Sequence, residues 1–234
     1  MTYLAKEKII VALDAPNSEA ALRMLDQLGD SVSWVKIGLQ LFISEGPSIV
    51  QTVKDRGYKV FLDLKIHDIP NTVREAVGSA LKLGVDMTTI HLSGGSNMVR
   101  AAVEATKESP LLILGVTVLT SMNEADLRAT GVDRTPAQQV KSLVELAFPC
   151  GLRGVVCSPH EIVSLREAFG STLTIVTPGV RPMGAALGDQ QRVMTPSEAV
   201  LAGANHLVIG RPITGAASPR EAALAIAAEI ETAL

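Results

Sequence analysis

Three charged residues, Asp63, Lys65 and Asp68, fall close together in the stretch VFLDLKIHDIPNT at 60–72. They follow an apolar run directly, and charged side chains go inside only when they are paired or used. A lysine held between carboxylates can act both as a fixed cation and as a proton donor. The neighbouring carboxylates favour its ammonium form, because an opposite charge nearby stabilises the charged state. Asp14 and Lys36 stand at the ends of two earlier apolar runs. Lys36, Asp63, Lys65 and Asp68 thus form an alternating array in which each charge offsets its neighbours.

A second constellation lies late in the chain, in TPGVRP (177–182) and IGRP (209–212). Gly179 and Gly210 let backbone N–H groups approach an anion, and Arg181 and Arg211 offer bidentate charge for a phosphate. Between them, RPMGAALGDQQRVMTP (181–196) is long for a strand–helix connection. Loops of that length often act as lids or binding loops, which makes Gln190 a candidate ligand contact. His67, His91, His160 and His206 show no metal spacing, so structural roles are expected of them and no metal site is predicted. Cys150 and Cys157 match neither a metal nor a redox motif and are expected to be buried free thiols.

The elements that must position these residues recur with a plain rhythm. Eight short apolar runs are separated by segments with helical spacing: 8–14, 33–38, 59–65, 86–92, 111–120, 154–158, 172–179 and 205–212. Continuous apolar strands alternating with helices imply a parallel sheet covered on its outer face. Eight such units in 234 residues predict an α/β protein, a single-domain (β/α)8 TIM barrel over 1–234. A doubly wound sheet fits less well, since no G-x-G-x-x-G follows the first run. Active sites of such barrels lie at the C-terminal ends of the strands, where Asp14, Lys36, Asp63 and Lys65 fall. Loops after the last two strands, where the arginines fall, are a recurrent phosphate site. Side chains alternate along a strand, so Asp63 and Lys65 share a face.

Composition narrows the function classes. An apolar fraction of 47% with only 3% aromatic residues builds a core from Ala, Val, Ile and Leu. A net charge of −3 gives no argument for nucleic acid or an anionic membrane as partner. No apolar run approaches a membrane span and the N-terminal residues do not read as a signal peptide, so a cytoplasmic location is expected.

The motif DLKIHDIPNT, with VALD, VKIGL and TPGVRP…GDQ…VIGRP, closely resembles the orotidine 5′-phosphate decarboxylase family over nearly the whole chain. The resemblance implies conversion of orotidine 5′-monophosphate to uridine 5′-monophosphate in pyrimidine biosynthesis, without metal or cofactor. It implies that Lys65 donates a proton to C6 and that Asp63 lies near the departing carboxylate, with Lys36 and Asp68 completing the array. Asp14 and Lys36 would bind ribose hydroxyls. Thr120 and Ser121, at the end of the fifth run, would lie beside the base. Arg181, Gln190, Gly210 and Arg211 would hold the phosphate. It also implies a homodimer in which Asp68 and Thr72 serve the partner's site. The nearest rival is a magnesium-dependent sugar-phosphate decarboxylase or aldolase of the same barrel group, using the D-x-K-x-x-D carboxylates as metal ligands. A non-catalytic binder of a phosphate ligand is the rival from another class.

Overall fold

The computed structural model describes residues 3–182 and 194–234. Eight parallel strands close into a barrel in sequence order: β1 (Ile9–Leu13), β2 (Trp34–Gly38), β3 (Lys59–Ile66), β4 (Met87–His91), β5 (Leu112–Val116), β6 (Gly154–Val156), β7 (Thr174–Pro178) and β8 (His206–Ile209), with β8 pairing back on β1. Helices connect successive strands on the outside, as the alternation predicts. Several strands are shorter than their apolar runs. The fifth stops at Val116 rather than at residue 120, because its pairing with β6 ends at Val116 opposite Val156. Thr120 and Ser121 therefore lie in the loop beyond β5 rather than at its end.

The strands are apolar on both faces because both faces are covered. On β1, Ile9, Val11 and Leu13 point to the helices and join the larger core, whereas Ile10 and Ala12 point into the barrel. Trp34, Phe61, Met87, Leu114, Val176 and Val208 fill that interior with Ile10 and Ala12. Burying one such large side chain fully is worth about 1.5–3 kcal/mol. The inward phase continues upward, so the residue two positions beyond each filler is delivered to the open end. Trp34 leads to Lys36, Phe61 to Asp63, and Met87 to Thr89.

Helix starts carry the signals their sequence suggests. The Asn17 side chain accepts a hydrogen bond from the Ala20 amide at 3.0 Å, and Thr195 and Glu198 cap the helix Pro196–Leu201 reciprocally. Such caps satisfy backbone donors that have no partner within the helix. Among the described residues no helix is long and apolar enough to cross a membrane. Both cysteines are free thiols. Cys157 is buried as expected, but Cys150 is only half-buried, at the end of a surface turn.

Candidate active site

The charged side chains of β2 and β3 meet at the open end of the barrel. Asp63 is 8% exposed, and its Oδ2 lies 2.8 Å from Lys65 Nζ and 3.8 Å from Lys36 Nζ. Lys36 Nζ also donates to Asp14 Oδ1 at 3.2 Å, from the residue that follows β1. The result is one continuous chain of opposite charges, Asp14–Lys36–Asp63–Lys65. Gly38, just above Lys36 on β2, leaves room for it: a Cβ there would fall 2.9 Å from Lys36 Nζ. No feature of the sequence other than its place in VKIGL marked that glycine.

Plain alternation does not account for how Lys65 reaches Asp63. Leu62 pairs with Thr88 on β4, but the next aligned pair is Ile66 with Ile90. Three residues of β3 thus oppose Thr89 alone, a bulge that redirects side chains at the barrel rim. Lys65 sits in the bulge at φ 50°, the one non-glycine residue with positive φ among those described. That backbone costs on the order of 1–3 kcal/mol and persists only where surroundings impose it. Thr89, fully buried, supplies both constraints: its hydroxyl donates to Asp63 Oδ1 at 3.0 Å and accepts from the Lys65 amide at 2.8 Å. Sequence reasoning missed Thr89; its inward phase on an apolar strand was the available signal.

Beside the array lies a cavity of about 180 Å³. Lys36, Asp63 and Lys65 form its charged wall, Phe61, Val156 and Val208 its apolar floor, and Thr120 part of its rim. Ser121 is exposed and borders the half-buried Thr120. An apolar floor lowers the local dielectric and strengthens the fixed charges opposite it.

Asp68 does not join the array within one chain. It is exposed, and its Oδ1 accepts from the neighbouring Ile69 amide at 2.6 Å. Among the described residues its carboxylate pairs with no cation. Within one chain the continuous run of charges is Asp14–Lys36–Asp63–Lys65, and Asp68 lies beyond the bulge in the loop before the helix Pro70–Lys82. Thr72 is exposed in the first turn of that helix.

His67 and His91 lie at this end of the barrel, with ring centroids 5.5 Å apart. Burial first, then the charges of His67 and Lys65, holds the His91 pKa below the ordinary histidine value, opposed by Asp63. Across the barrel mouth, Gly179 follows β7 at φ 81° and Gly210 follows β8. Arg181 is buried, with Nη1 donating to the Val180 carbonyl at 2.9 Å. Burial, and then the like charge of nearby Arg211, pushes Arg181 below its ordinary pKa. Gln190 lies outside the described residues.

Fold and site together define a (β/α)8 barrel with a lysine–aspartate centre at the C-terminal ends of its strands. Comparison with known proteins narrows this further. The model of the orotidine 5′-phosphate decarboxylase/HUMPS family matches residues 7–226, and the chain belongs to that family. It is 50% identical to orotidine 5′-phosphate decarboxylase of Moorella thermoacetica, over 97% of this chain and 93% of that one. The Opitutus terrae protein of the same name is 51% identical, over 96% and 98% respectively. Among solved structures, orotidine 5′-phosphate decarboxylase from Lactobacillus acidophilus superposes with a TM-score of 0.86 at 39% identity, covering 96% of this chain and 99% of that one.

Proposed function

We propose that this carboxy-lyase converts orotidine 5′-monophosphate to uridine 5′-monophosphate with its own side chains alone. The observation that carries the reading is the Asp14–Lys36–Asp63–Lys65 chain beside an apolar-floored cavity at the mouth of the barrel. Loss of CO2 breaks the C6–carboxylate bond and leaves its electron pair on C6, where resonance spreads it little. A fixed ammonium at that carbon stabilises the developing charge, and the same group then delivers the proton that completes the C6–H bond. Lys65, held 2.8 Å from Asp63, is placed for both tasks. Asp63 lies near the departing carboxylate, while Lys36 and Asp14 bind ribose hydroxyls.

Arg181, Gly210, Arg211 and Gln190 hold the 5′-phosphate, Thr120 and Ser121 border the base, and the remote phosphate supplies binding energy that orients the reacting carbon. The magnesium-dependent alternative is not favoured. Lys36 and Lys65 both stand against Asp63, one of the two carboxylates it would need as ligands.

The working unit in this reading is a cytoplasmic homodimer. Leu39, Ile43 and Ile69 are 47%, 77% and 67% exposed on neighbouring strand–helix units, beside Asp68 and Thr72. Apolar side chains so exposed suit a subunit contact, through which Asp68 and Thr72 would reach the partner's array. Mixing inactive Lys65→Ala and Asp68→Ala proteins should then restore part of the activity through hybrid dimers. No recovery after demonstrated subunit exchange would count against the shared site.

The direct test of the reaction is absorbance-monitored turnover of orotidine 5′-monophosphate by the purified protein in EDTA. Conversion to uridine 5′-monophosphate supports the reading. A folded protein that leaves the substrate untouched until magnesium is supplied would overturn it.

A further inference from the structure

Thr89 lines no part of the cavity and is fully buried, yet its single hydroxyl ties together Asp63 and Lys65 of the cavity's charged wall. The bulge in β3 sets Asp63, Leu64 and Lys65 against Thr89 alone, so the regular ladder is interrupted there. Buried backbone donors are almost always paired, and here the Thr89 oxygen takes the Lys65 amide at 2.8 Å. A hydroxyl has one proton to give and lone pairs to receive. The Thr89 proton goes to Asp63 Oδ1 at 3.0 Å, leaving Asp63 Oδ2 for Lys65 Nζ at 2.8 Å. The three contacts close a ring through the main chain of Lys65, the Thr89 hydroxyl, the Asp63 carboxylate and the Lys65 ammonium. Every member is fixed by the next.

We infer that Thr89 is a positioning residue of the decarboxylation site: it holds Lys65 in its left-handed backbone conformation and aims the ammonium by fixing the carboxylate it rests on. The inference builds on the decarboxylase reading but concerns a residue outside the substrate's reach. It requires the hydroxyl specifically, since valine has nearly the same shape and can make neither hydrogen bond. Serine keeps both. Placement of a reacting group matters steeply, because misplacement by about 1 Å can cost on the order of 10²-fold in rate.

The test compares Thr89→Val and Thr89→Ser with the wild type in kcat and KM for orotidine 5′-monophosphate. Thr89→Val is expected to lower kcat by about 10- to 100-fold with KM little changed, and Thr89→Ser to recover most of the loss. A structural role alone would lower the Tm of both without separating their kcat values. If Thr89→Val does not fold, Thr89→Ala takes its place: loss with alanine and retention with serine supports the role. Equal kcat in the hydroxyl and non-hydroxyl variants overturns it. A crystal structure of the Val or Ala variant keeps this inference separate from the reaction itself. Lys65 still near φ 50° and still against Asp63 there would overturn the positioning role, whatever the substrate proves to be.

Discussion

Two charged clusters sit at opposite ends of the same barrel and are built on different terms. At the lower end, Glu7 Oε2 accepts from Trp34 Nε1 at 3.0 Å and from Lys59 Nζ at 2.8 Å. Lys59 also lies over the Trp34 ring, at 5.2 Å from its centroid. His206 packs edge-on against that ring, with Nδ1–H donating to the Glu7 carbonyl at 2.9 Å. Trp34, Lys59 and His206 each open a strand in ordinary backbone geometry. At the upper end, the Asp14–Lys36–Asp63–Lys65 chain relies on a bulge, a left-handed lysine and a glycine that leaves space. The lower cluster packs around Trp34 at the start of the strands, whereas the upper one combines an unusual backbone with charge beside the cavity at the strand ends. Strained backbone held in place by its surroundings clusters at functional sites, which is why the upper cluster is the one proposed to work on substrate.

The contrast can be broken by variants at each end. Short of removing Lys65 itself, the largest effect is expected from Asp63→Asn, which removes the charge shared by both lysines; kcat should fall by about 10²–10³-fold, read by absorbance. Arg211→Ala should act chiefly on substrate concentration. Loss of a charge-assisted phosphate contact worth about 1.5–3 kcal/mol raises KM by about 10- to 100-fold. At the lower end, Glu7→Ala removes the acceptor of the buried Trp34 Nε1 donor at a cost of about 1–3 kcal/mol. Calorimetry should show a Tm lower by about 2–12 °C, with kcat at its wild-type value. If Glu7→Ala lowered turnover while sparing Tm, the division between the two ends would fail.

The smallest effect concerns pH. Burial is the main cause that holds the His206 pKa below its ordinary 6.5, partly opposed by its hydrogen bond to Glu7. The unfolded chain therefore binds its proton more readily than the folded one. Stability from the neutral ring is fully present above about pH 6.5 and is lost as pH falls through the lower folded value. Tm should decline over that acid window, and His206→Gln should decline less steeply. Parallel slopes would remove His206 from the account.

What the sequence disclosed follows from which rules are local. The eight strands were legible because a buried parallel strand is a short apolar run bounded by helical spacing. Lys36 and Asp63 were legible because inward phase follows from a period of two. Strand ends were not: Val118 and Leu119 extend the apolar run past Val116, but they line the cavity instead of pairing in the sheet. Asp68 looked like a member of the array by spacing, and within one chain its carboxylate instead accepts from the Ile69 amide in an exposed loop. The inward phase of Thr89 was readable, but its role and that of Gly38 depend on a bulge and a close approach of side chains, neither of which spacing encodes.

The measurement that bears most directly on the central claim is Tm and turnover of Lys65→Gly, taken together. Glycine adopts a positive φ without the steric penalty that Lys65 bears, and it carries no ammonium. The account predicts that turnover disappears while Tm holds or rises. Retained turnover, or a Tm that drops as far as in Glu7→Ala, would mean that the upper cluster is a structural ion pair like the lower one.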